Sequence, residues 1–388
     1  MKKSLIQSIK ILLIISLLLT SCGCWSSREL DKLGIVLGIG IDKTDKPDEI
    51  EITAQIAKVS ELEASSQGGS QTKAFINLKA KGTDPLSIFR EFTHEISRKT
   101  YTSHNETIIF GKDLAKAGIH NSLDFFLRSH ETRLTVDILV AKGKASDIFE
   151  VEPRFGKLPA GEIAQLVEEQ GNSSESAKLT LMDFISQFTG SKAMVAPIIE
   201  VREEQNKKVA YISKGAVFKK DKFVGELDKR ETRGLLWVLG NVKSGVIMVE
   251  AMGENAFLEI SKSKSDVEYK IDKDGNILFN IKIIEKSTIT SQTGYADFLK
   301  PENVKLLEKS EEEEIKKEIE SALSKARELD ADIFGFGENI NQKDNKKWKT
   351  IKDNWEDQFK KLEVNVEVSA KIVGDGRIAK PFNLEKEK

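Results

Sequence analysis

The chain has only two cysteines, Cys22 and Cys24, and none occurs between residues 25 and 388. A body without cysteines forms no disulfides, so its domains must be stabilised by ordinary apolar cores. The 388 residues, 39% of them hydrophobic, are enough for two or three such cores. The cysteine distribution therefore predicts a multidomain globular body behind a short N-terminal segment that contains both thiols.

The N-terminal segment has the layout of a signal peptide. Lys2, Lys3 and Lys10 are its positive charges, and residues 11–19 form an uncharged apolar stretch. Nine helical residues span roughly 13 Å, which is less than half of the hydrocarbon thickness of a bilayer. The length therefore favours a signal peptide over residues 1–21 rather than a transmembrane anchor.

Leu19-Thr20-Ser21-Cys22 follows the apolar stretch and resembles a lipoprotein cleavage site. A small residue precedes the cysteine, and a large apolar residue lies three positions before it. Spacing from the apolar stretch favours Cys22 as the lipid-attachment site, with Cys24 as the alternative because Gly23 is also small. An ordinary secretory signal with two incidental cysteines is the less favoured interpretation. The sequence thus predicts a lipid anchor on an extracytoplasmic protein.

Charge excludes some classes of partner. The net charge is −2, and charged residues make up 31% of the chain, with both signs interspersed. The sequence therefore shows neither the basic footprint of a nucleic-acid-binding protein nor a polybasic stripe for anionic lipid.

Hydrophobic patterning in the first half interleaves strands and helices. An apolar run over 35–41 is broken by Gly38 and Gly40 and ends before Asp42, which is typical of a buried strand whose glycines allow close backbone approach. Further strands are predicted at 50–56, 106–110, 134–140, 196–201 and 208–212, and helices over 112–129 and within 161–190. Another helix is predicted to begin at Pro85 with Asp84 as its N-cap, and its buried face is predicted to hold Leu86, Phe89, Phe92 and Ile96.

The pattern changes near residue 213. Two hairpins are predicted, around 216–224 and around 267–283, the second with Asp274-Gly275 as its turn. A helix is predicted over 310–331, starting at a Ser310/Glu313 capping box, and a last strand over 364–372. The inward face of this helix is predicted to hold Ile315, Ile319, Ala322, Ala326 and Leu329. We therefore predict an α+β fold with an N-terminal region at 22–212. A C-terminal domain at 213–388 has an antiparallel sheet and long helices.

No catalytic, cofactor or metal motif is found. The four histidines do not follow the spacing of a zinc-binding helix. Gly38 and Gly40 lack the third glycine and the helix start of a dinucleotide fingerprint. The carboxylates of 311–314 are interpreted as first-turn charges that complement the helix dipole rather than as calcium ligands. The sequence predicts a non-enzymatic protein without a cofactor.

Two aromatic motifs lie in the second half. Phe334-Gly335-Phe336-Gly337 is interpreted as a glycine helix stop with two core phenylalanines rather than as a ligand contact. Core packing or a partner interface would each explain Trp237, Trp348 and Trp355, and the sequence leaves both open.

Four blocks of the sequence resemble the Ger(x)C spore germination lipoproteins. The first contains Trp25, Arg28, Glu29, Gly38, Gly40 and Asp42. The second covers 214–247 with Trp237, the third covers 332–359 with Gly335, Gly337, Trp348 and Trp355, and the fourth is the strand at 364–373. Family members usually have a single cysteine directly before the tryptophan, which here is Cys24, so the lipid site stays open between two residues.

The resemblance implies a C subunit of a nutrient germinant receptor, lipid-anchored on the outer face of the spore inner membrane. It also implies an α+β fold of about three domains, so that the region at 22–212 would hold two subdomains. Its partners would be a multi-spanning A subunit and an integral B subunit, which it would scaffold or gate. No catalytic or ligand residues carry over, and small-molecule binding stays open. The alternatives are a substrate-binding lipoprotein of a transporter and, less favoured, a cell-envelope enzyme.

Overall fold

The computed structural model describes residues 6–8, 10–11, 32–58, 61, 73–188, 190–273, 276–294, 296–298 and 300–374. Cys22, Cys24, Trp25, Arg28 and Glu29 lie outside these residues, as do most of the predicted signal peptide and the predicted Asp274-Gly275 turn.

The first sheet has nine strands. They are β1 (Leu33–Lys43), β2 (Ile50–Ala57), β3 (Phe75–Gly82), β4 (Lys99–Tyr101), β5 (Thr107–Gly111), β6 (Asp137–Ala141), β7 (Met194–Glu204), β8 (Lys207–Lys219) and β9 (Lys222–Leu227). Their order is β3-β2-β1-β5-β6-β7-β8-β9, with β4 beside the start of β1. The central strands β1, β5, β6 and β7 are parallel, and antiparallel strands extend the sheet on both sides.

Six helices cover both faces of this sheet. They are α1 (Pro85–Glu91), α2 (Lys112–Ala117), α3 (His120–Arg128), α4 (Ala145–Ile148), α5 (Pro159–Glu169) and α6 (Leu181–Phe188), with short 3₁₀ turns at 92–94 and 170–172. One core contains Phe89, Phe126 and Phe184 from α1, α3 and α6, and the opposite core contains Ile148 and Ile163 from α4 and α5. A parallel sheet requires such two-sided cover, because its central strands are apolar on both faces.

Local signals in the first half are largely confirmed. Asp84 caps α1 by accepting hydrogen bonds from the Leu86 and Ser87 amides. However, Leu86, predicted to be buried, is exposed. The single helix predicted over 112–129 is two helices, because the chain turns at Gly118, whose φ of 125° favours glycine.

The close approach predicted at Gly38 and Gly40 is confirmed. A Cβ on Gly38 would lie 2.5 Å from Cε1 of Phe149, and a Cβ on Gly40 would lie 3.0 Å from Cε2 of the same ring. Phe149, directly after α4, is fully buried there. The two glycines therefore make room for an aromatic ring against β1.

The second sheet follows α7 (Lys229–Leu239). Its strands are β10 (Val246–Ala251), β11 (Glu254–Ile271), β12 (Ile277–Gln292) and β13 (Glu363–Gly374), in that order. Between β12 and β13 come α8 (Pro301–Glu328), α9 (Phe336–Lys343), α10 (Asn345–Ile351), a 3₁₀ turn at 352–354 and α11 (Trp355–Lys361). The first three strands are antiparallel as predicted, but β13 joins parallel to β12. The fold is the predicted multidomain α+β arrangement.

The predicted start of the long helix at Ser310 is wrong. The helix α8 begins at Pro301, which occupies its first turn. Ser310 lies inside the helix and donates a hydrogen bond to the Glu250 carbonyl at 3.0 Å. Of the predicted inward residues, Ile315, Ile319, Ala322 and Ala326 are buried, and Leu329, directly after the helix, is half-buried. The periodicity therefore identified the inward face of the helix.

The predicted division between residues 212 and 213 falls inside β8. This strand pairs with β7 from residue 207 to residue 218 and then forms a hairpin with β9. Residues 213–227 therefore complete the first sheet, and the chain passes to the second sheet through α7.

Candidate functional site at the junction of the two sheets

Asp332 organises the loop that joins α8 to α9. Its carboxylate accepts hydrogen bonds from the amides of Gly335 at 2.9 Å, Phe336 at 3.1 Å and Gly337 at 2.8 Å. The indole nitrogen of Trp355 donates a fourth, at 3.1 Å. Burial raises the pKa of Asp332, and these four donors oppose the shift by favouring the ionised form. One side chain thus caps α9 and fixes α11 beside it.

Glycine is required at both positions of the predicted motif. Gly335 has a φ of 75°, in the left-handed region. A Cβ on Gly337 would lie 2.6 Å from Oγ of Ser191 and 2.8 Å from both Cη2 of Trp348 and Nε1 of Trp355. Gly335 starts a helix rather than ending one, which corrects the predicted glycine stop.

Aromatic rings fill the space around this loop. Phe336 stacks on Phe279 of β12 with ring centroids 4.2 Å apart, and on Phe334 at 5.2 Å. Trp348 meets Trp355 edge to face at 5.3 Å. Trp355 is buried, whereas Trp348 is partly exposed, so only Trp348 offers a ring edge to a partner. The core assignment of Phe334 and Phe336 is confirmed.

The loop docks on the segment that leads into β7. The Ala193 amide donates a hydrogen bond to the Asp332 carbonyl at 2.9 Å. A Cβ on Gly335 would lie 2.9 Å from Cδ of Lys192, which shows how closely the lysine stem covers the glycine. Burial lowers the pKa of Lys192, while the negative charges of Asp332 and Asp183 raise it. The four predicted residues Gly335, Gly337, Trp348 and Trp355 therefore form one junction between the two sheets.

A cleft of about 470 Å³ opens beside this junction. Cationic Lys192, Lys220 and Lys352 line it together with Glu338 and Trp348. Across the described ranges, no three His, Cys, Asp or Glu side chains are grouped closely enough to hold a metal ion. The cleft offers charge and an aromatic edge, which are suited to recognition.

The remaining predicted residues lie elsewhere and serve the fold. Asp42, at the end of β1, accepts hydrogen bonds from the Ala145 and Ser146 amides at 2.7 and 2.9 Å and so caps α4. Trp237 is 1% exposed, so it belongs to the core and is not a surface anchor for a partner. Its indole nitrogen donates to Glu318 at 2.9 Å.

Sequence reasoning missed a buried ionic group between α7 and α8. Arg233 forms a bidentate salt bridge with Glu318 and donates to the Val246 carbonyl at 3.0 Å. Both side chains are almost fully buried. The i, i+4 spacing of Arg233 and Trp237 was the sequence signal for this group, because it places both side chains on one face of α7. Both of them donate to the carboxylate of Glu318.

Sequence reasoning also missed a pair of buried carboxyl groups between β12 and α8. Glu285 of β12 and Glu311 of α8 are both fully buried and face each other between sheet and helix. Ser287 donates a hydrogen bond of 2.8 Å to Glu311. Burial, together with the neighbouring negative charge, raises the pKa of both groups. The first-turn interpretation of Glu311 is therefore wrong, because α8 begins ten residues earlier.

A larger groove lies away from the junction, between α5 and β8. Its volume is about 1060 Å³, and Leu158, Leu166, Tyr211 and Ile212 line it, with Phe155 at its rim. Phe155 is 84% exposed. Charged side chains at the rim are paired with each other: Arg154 with Glu204, and Lys229 with Glu175, both at 2.6 Å.

Two family models match the chain in order. The model described as "Spore germination protein N-terminal domain" matches residues 26–201. The model described as "Spore germination B3/ GerAC like, C-terminal" matches residues 213–376.

Curated relatives match nearly the whole chain. "Spore germination protein YndF" of Bacillus subtilis (strain 168) is 27% identical over 406 residues, which cover 97% of this chain and 99% of the relative. "Spore germination protein B3" of the same organism is 23% identical and covers 94% of this chain and 97% of its own length.

A solved structure shares the fold. The chain in "Crystal Structure of the GerBC protein" superimposes with a TM-score of 0.58 at 20% identity, covering 89% of this chain and 100% of that one.

Proposed function

We propose, from the premise that this chain belongs to the Ger(x)C family of spore germination proteins, that it is the C subunit of a nutrient germinant receptor. The observation that carries this proposal is the ordered match of both family domains over residues 26–376. In this proposal the body scaffolds or gates an A and a B membrane subunit from outside the membrane and turns over no substrate.

The proposed attachment to the membrane is a lipid. Among the residues that the structure describes, no helix is both long and apolar enough to cross a bilayer. The cleavage pattern before Cys22 supports a thioether-linked diacylglycerol on that residue, or on Cys24. Two acyl chains give stable anchoring, whereas one gives marginal binding. The proposed location is the outer face of the spore inner membrane.

The junction supports a scaffolding role. A subunit that transmits force or position between membrane partners needs domains that keep a fixed relation to each other. Here Asp332 and the rings around it tie the second sheet to the segment before β7. Trp348 lies beside the 470 Å³ cleft at the same place, is partly exposed and is available to a partner subunit.

The first test is nutrient germination of spores that carry Cys22→Ala, Cys24→Ala or a deletion of the whole chain. We expect the deletion to abolish the response to some nutrients while germination by calcium-dipicolinate stays intact. The more damaging cysteine change identifies the lipid site. Unchanged responses to every nutrient, in a strain without other receptors of this type, would contradict the proposal.

A second test addresses the partners. Affinity purification of the tagged chain from spore membranes in mild detergent should recover the A and B subunits. Recovery of the chain alone, while the same extract keeps other membrane complexes intact, would count against a receptor complex.

The groove between α5 and β8 favours one alternative, a substrate-binding lipoprotein. Its volume of about 1060 Å³ lies just above the usual range of small-molecule sites, and two ion pairs beside its apolar lining suit a ligand with apolar parts. Calorimetric titration of the purified protein with sugars and amino acids distinguishes the two. Saturable binding that Tyr211→Ala abolishes would favour the alternative, and absence of heat would favour the scaffold.

A further inference from the structure

One edge of the first sheet contains the start of β1. Because β1, β5, β6 and β7 are parallel, their amino ends all lie at this edge. The register pairs Gly38 with Thr107 and Thr107 with Asp137 in successive strands. The chain therefore enters the body at the edge where these four strands begin.

The turn between β8 and β9 lies at the same edge. The strand β8 is antiparallel to β7, and Phe218 pairs with Met194 at the start of β7. Residues 219–222, which follow directly, are thus level with the beginning of β1. The helices α9 to α11 join this edge as well, since Ala193 bonds to Asp332 and Lys219 forms a 2.8 Å ion pair with Glu356.

These two segments concentrate positive charge that the chain as a whole lacks. Residues 219–222 and 343–361 together hold ten lysines and five acidic residues, against a net charge of −2 for the entire sequence. We call these two segments the basic edge. The sequence shows no continuous basic stripe, because the two segments of the basic edge are more than 120 residues apart in the chain.

Five lysines at the basic edge are exposed and available to a ligand. In the described part of the chain, no carboxylate lies within 4.0 Å of five exposed lysines of this edge. They are Lys220, Lys222, Lys346, Lys349 and Lys352. Two of the acids are already engaged: Asp344 caps α10, and Glu356 pairs with Lys219. The others are Asp221, Asp353 and Asp357.

The chain between the proposed anchor and β1 has few residues. Leu33 is the eleventh residue after Cys22, and an extended chain of that length reaches at most roughly 36–40 Å. Five strand spacings separate β1 from β9, about 24 Å. If Cys22 or Cys24 carries the lipid, which is part of the proposed function, the basic edge lies within reach of the bilayer surface.

We propose that the basic edge docks on anionic phospholipid head groups and so fixes the orientation of the body on the membrane. Lysine-rich surfaces are typical of contact with lipid phosphate, whereas protein interfaces are depleted in lysine. The attraction acts only within about a Debye length, so the lipid anchor is needed to bring the edge into range.

The test uses the full lipidated chain in two kinds of vesicle, one zwitterionic and one rich in phosphatidylglycerol. Flotation of the chain with both vesicles reports the anchor. Acetylation rates of individual lysines then report docking. In anionic vesicles we expect Lys220, Lys346 and Lys349 to react several-fold more slowly than in zwitterionic ones, and added salt should remove the difference.

Matched lysines provide the control. Lys262, Lys264, Lys282 and Lys286 of the second sheet are exposed and lie on β11 and β12. Their rates should not depend on the lipid, and reversing their charges should not change protection of the basic edge. Reversal of Lys220, Lys346 and Lys349 to Glu should abolish the protection of Lys222 and Lys352.

The outcomes separate this proposal from the proposed function. A chain that floats with neither vesicle lacks the anchor, which contradicts the lipoprotein assignment. A chain that floats with both but shows equal rates has an anchor and no lipid docking, which overturns the present proposal. Protection that appears only when A and B subunits are added would make the basic edge a protein interface and would also overturn it.

Discussion

The two sheets differ in how many of their faces helices cover. In the first, β5 and β6 are buried at every residue because helices cover both faces. In the second, β10 and β12 alternate between buried and exposed residues because α7 and α8 cover only one face. Their buried charges differ as well: the first sheet buries Asp42 against backbone amides, whereas the second buries Glu285 and Glu311 beside each other and the Glu318–Arg233 pair.

The two sheets therefore hold their helices in position by different kinds of contact. Close contact of rings with glycines positions the helices on the first sheet. Buried charges position α8 on the second, since shifting the helix by one turn would separate Glu318 from Arg233 and Trp237. A buried ion pair contributes little net stability, but breaking it leaves an uncompensated charge. The second sheet should therefore be the more sensitive to loss of a single polar side chain.

The largest effect is expected from Glu318→Ala. It leaves Arg233 buried without its carboxylate and should lower the free energy of unfolding of the second sheet by about 3–5 kcal/mol. Tryptophan fluorescence during urea unfolding measures this, because Trp237, Trp348 and Trp355 all pack in that part of the molecule. Glu314→Ala, which removes an exposed partner of Arg230, should cost less than about 1 kcal/mol. Equal effects would mean that the buried charge has no special role.

Gly38→Ala tests the first sheet. The added Cβ would lie 2.8 Å from Cβ of Ala160 and closer still to the Phe149 ring, so it should destabilise this sheet by about 1–3 kcal/mol. Hydrogen exchange of β5 amides measures the loss locally. The control is Gly161→Ala in α5, where no atom lies within 4 Å and alanine should be neutral or stabilising. Unchanged exchange in Gly38→Ala would show that the ring moves aside freely.

Glu285→Gln should stabilise the second sheet at neutral and alkaline pH, by about 1–2 kcal/mol. Glutamine has the shape of the protonated acid and can donate a hydrogen bond to Glu311. Because glutamine carries no charge, Glu311 no longer ionises beside a second carboxylate. Urea unfolding followed by tryptophan fluorescence at several pH values measures the change. Glu259→Gln, on an exposed position of β11, provides the matched control and should have almost no effect.

The sign of the pH dependence follows from the raised pKa values of the pair. Below the ordinary glutamate pKa of 4.5, folded and unfolded chains are both protonated there, and the contribution to stability is complete. As pH rises above that value, the unfolded chain releases protons that the folded pair retains, so stability falls. Glu285→Gln should flatten this decline, and an unchanged slope would contradict the buried pair.

The smallest effect is expected from Asp42→Asn. The substitution weakens the cap of α4 and should cost about 1 kcal/mol, since an amide oxygen still accepts one of the two hydrogen bonds. Hydrogen exchange of the amides at 145 and 146 measures it. A loss as large as that of Glu318→Ala would show that the first sheet also depends on a buried charge.

Local patterns predicted the parts of the fold that local energetics determine. The apolar run at 35–41, the Asp84 cap and the inward face of α8 all follow from spacing and side-chain chemistry, and the structure confirms them. The capping pattern at Ser310 misled because the same residue types serve tertiary contacts inside a helix. Ser310 bonds to β10, and Glu311 faces Glu285.

The candidate site was predictable only as a set of residues. Resemblance identified Gly335, Gly337, Trp348 and Trp355 together, but it could not show that Asp332 links them through four hydrogen bonds. The contact between Lys192 and Gly335 joins segments more than 140 residues apart in the chain. Hydrophobic periodicity reports only local structure, so it cannot predict such a contact. The parallel pairing of β13 with β12 was missed for the same reason.

That parallel pairing also imposes an order of events on biogenesis. The strand β12 keeps an open edge, with its row of unpaired amides and carbonyls, until residues 363–374 are available to cover it. Seventy residues separate the two strands, so the edge stays open while everything between them is synthesised. Nascent chains halted in this interval would expose a template for aggregation, and a folding factor that shields strand edges would act here first.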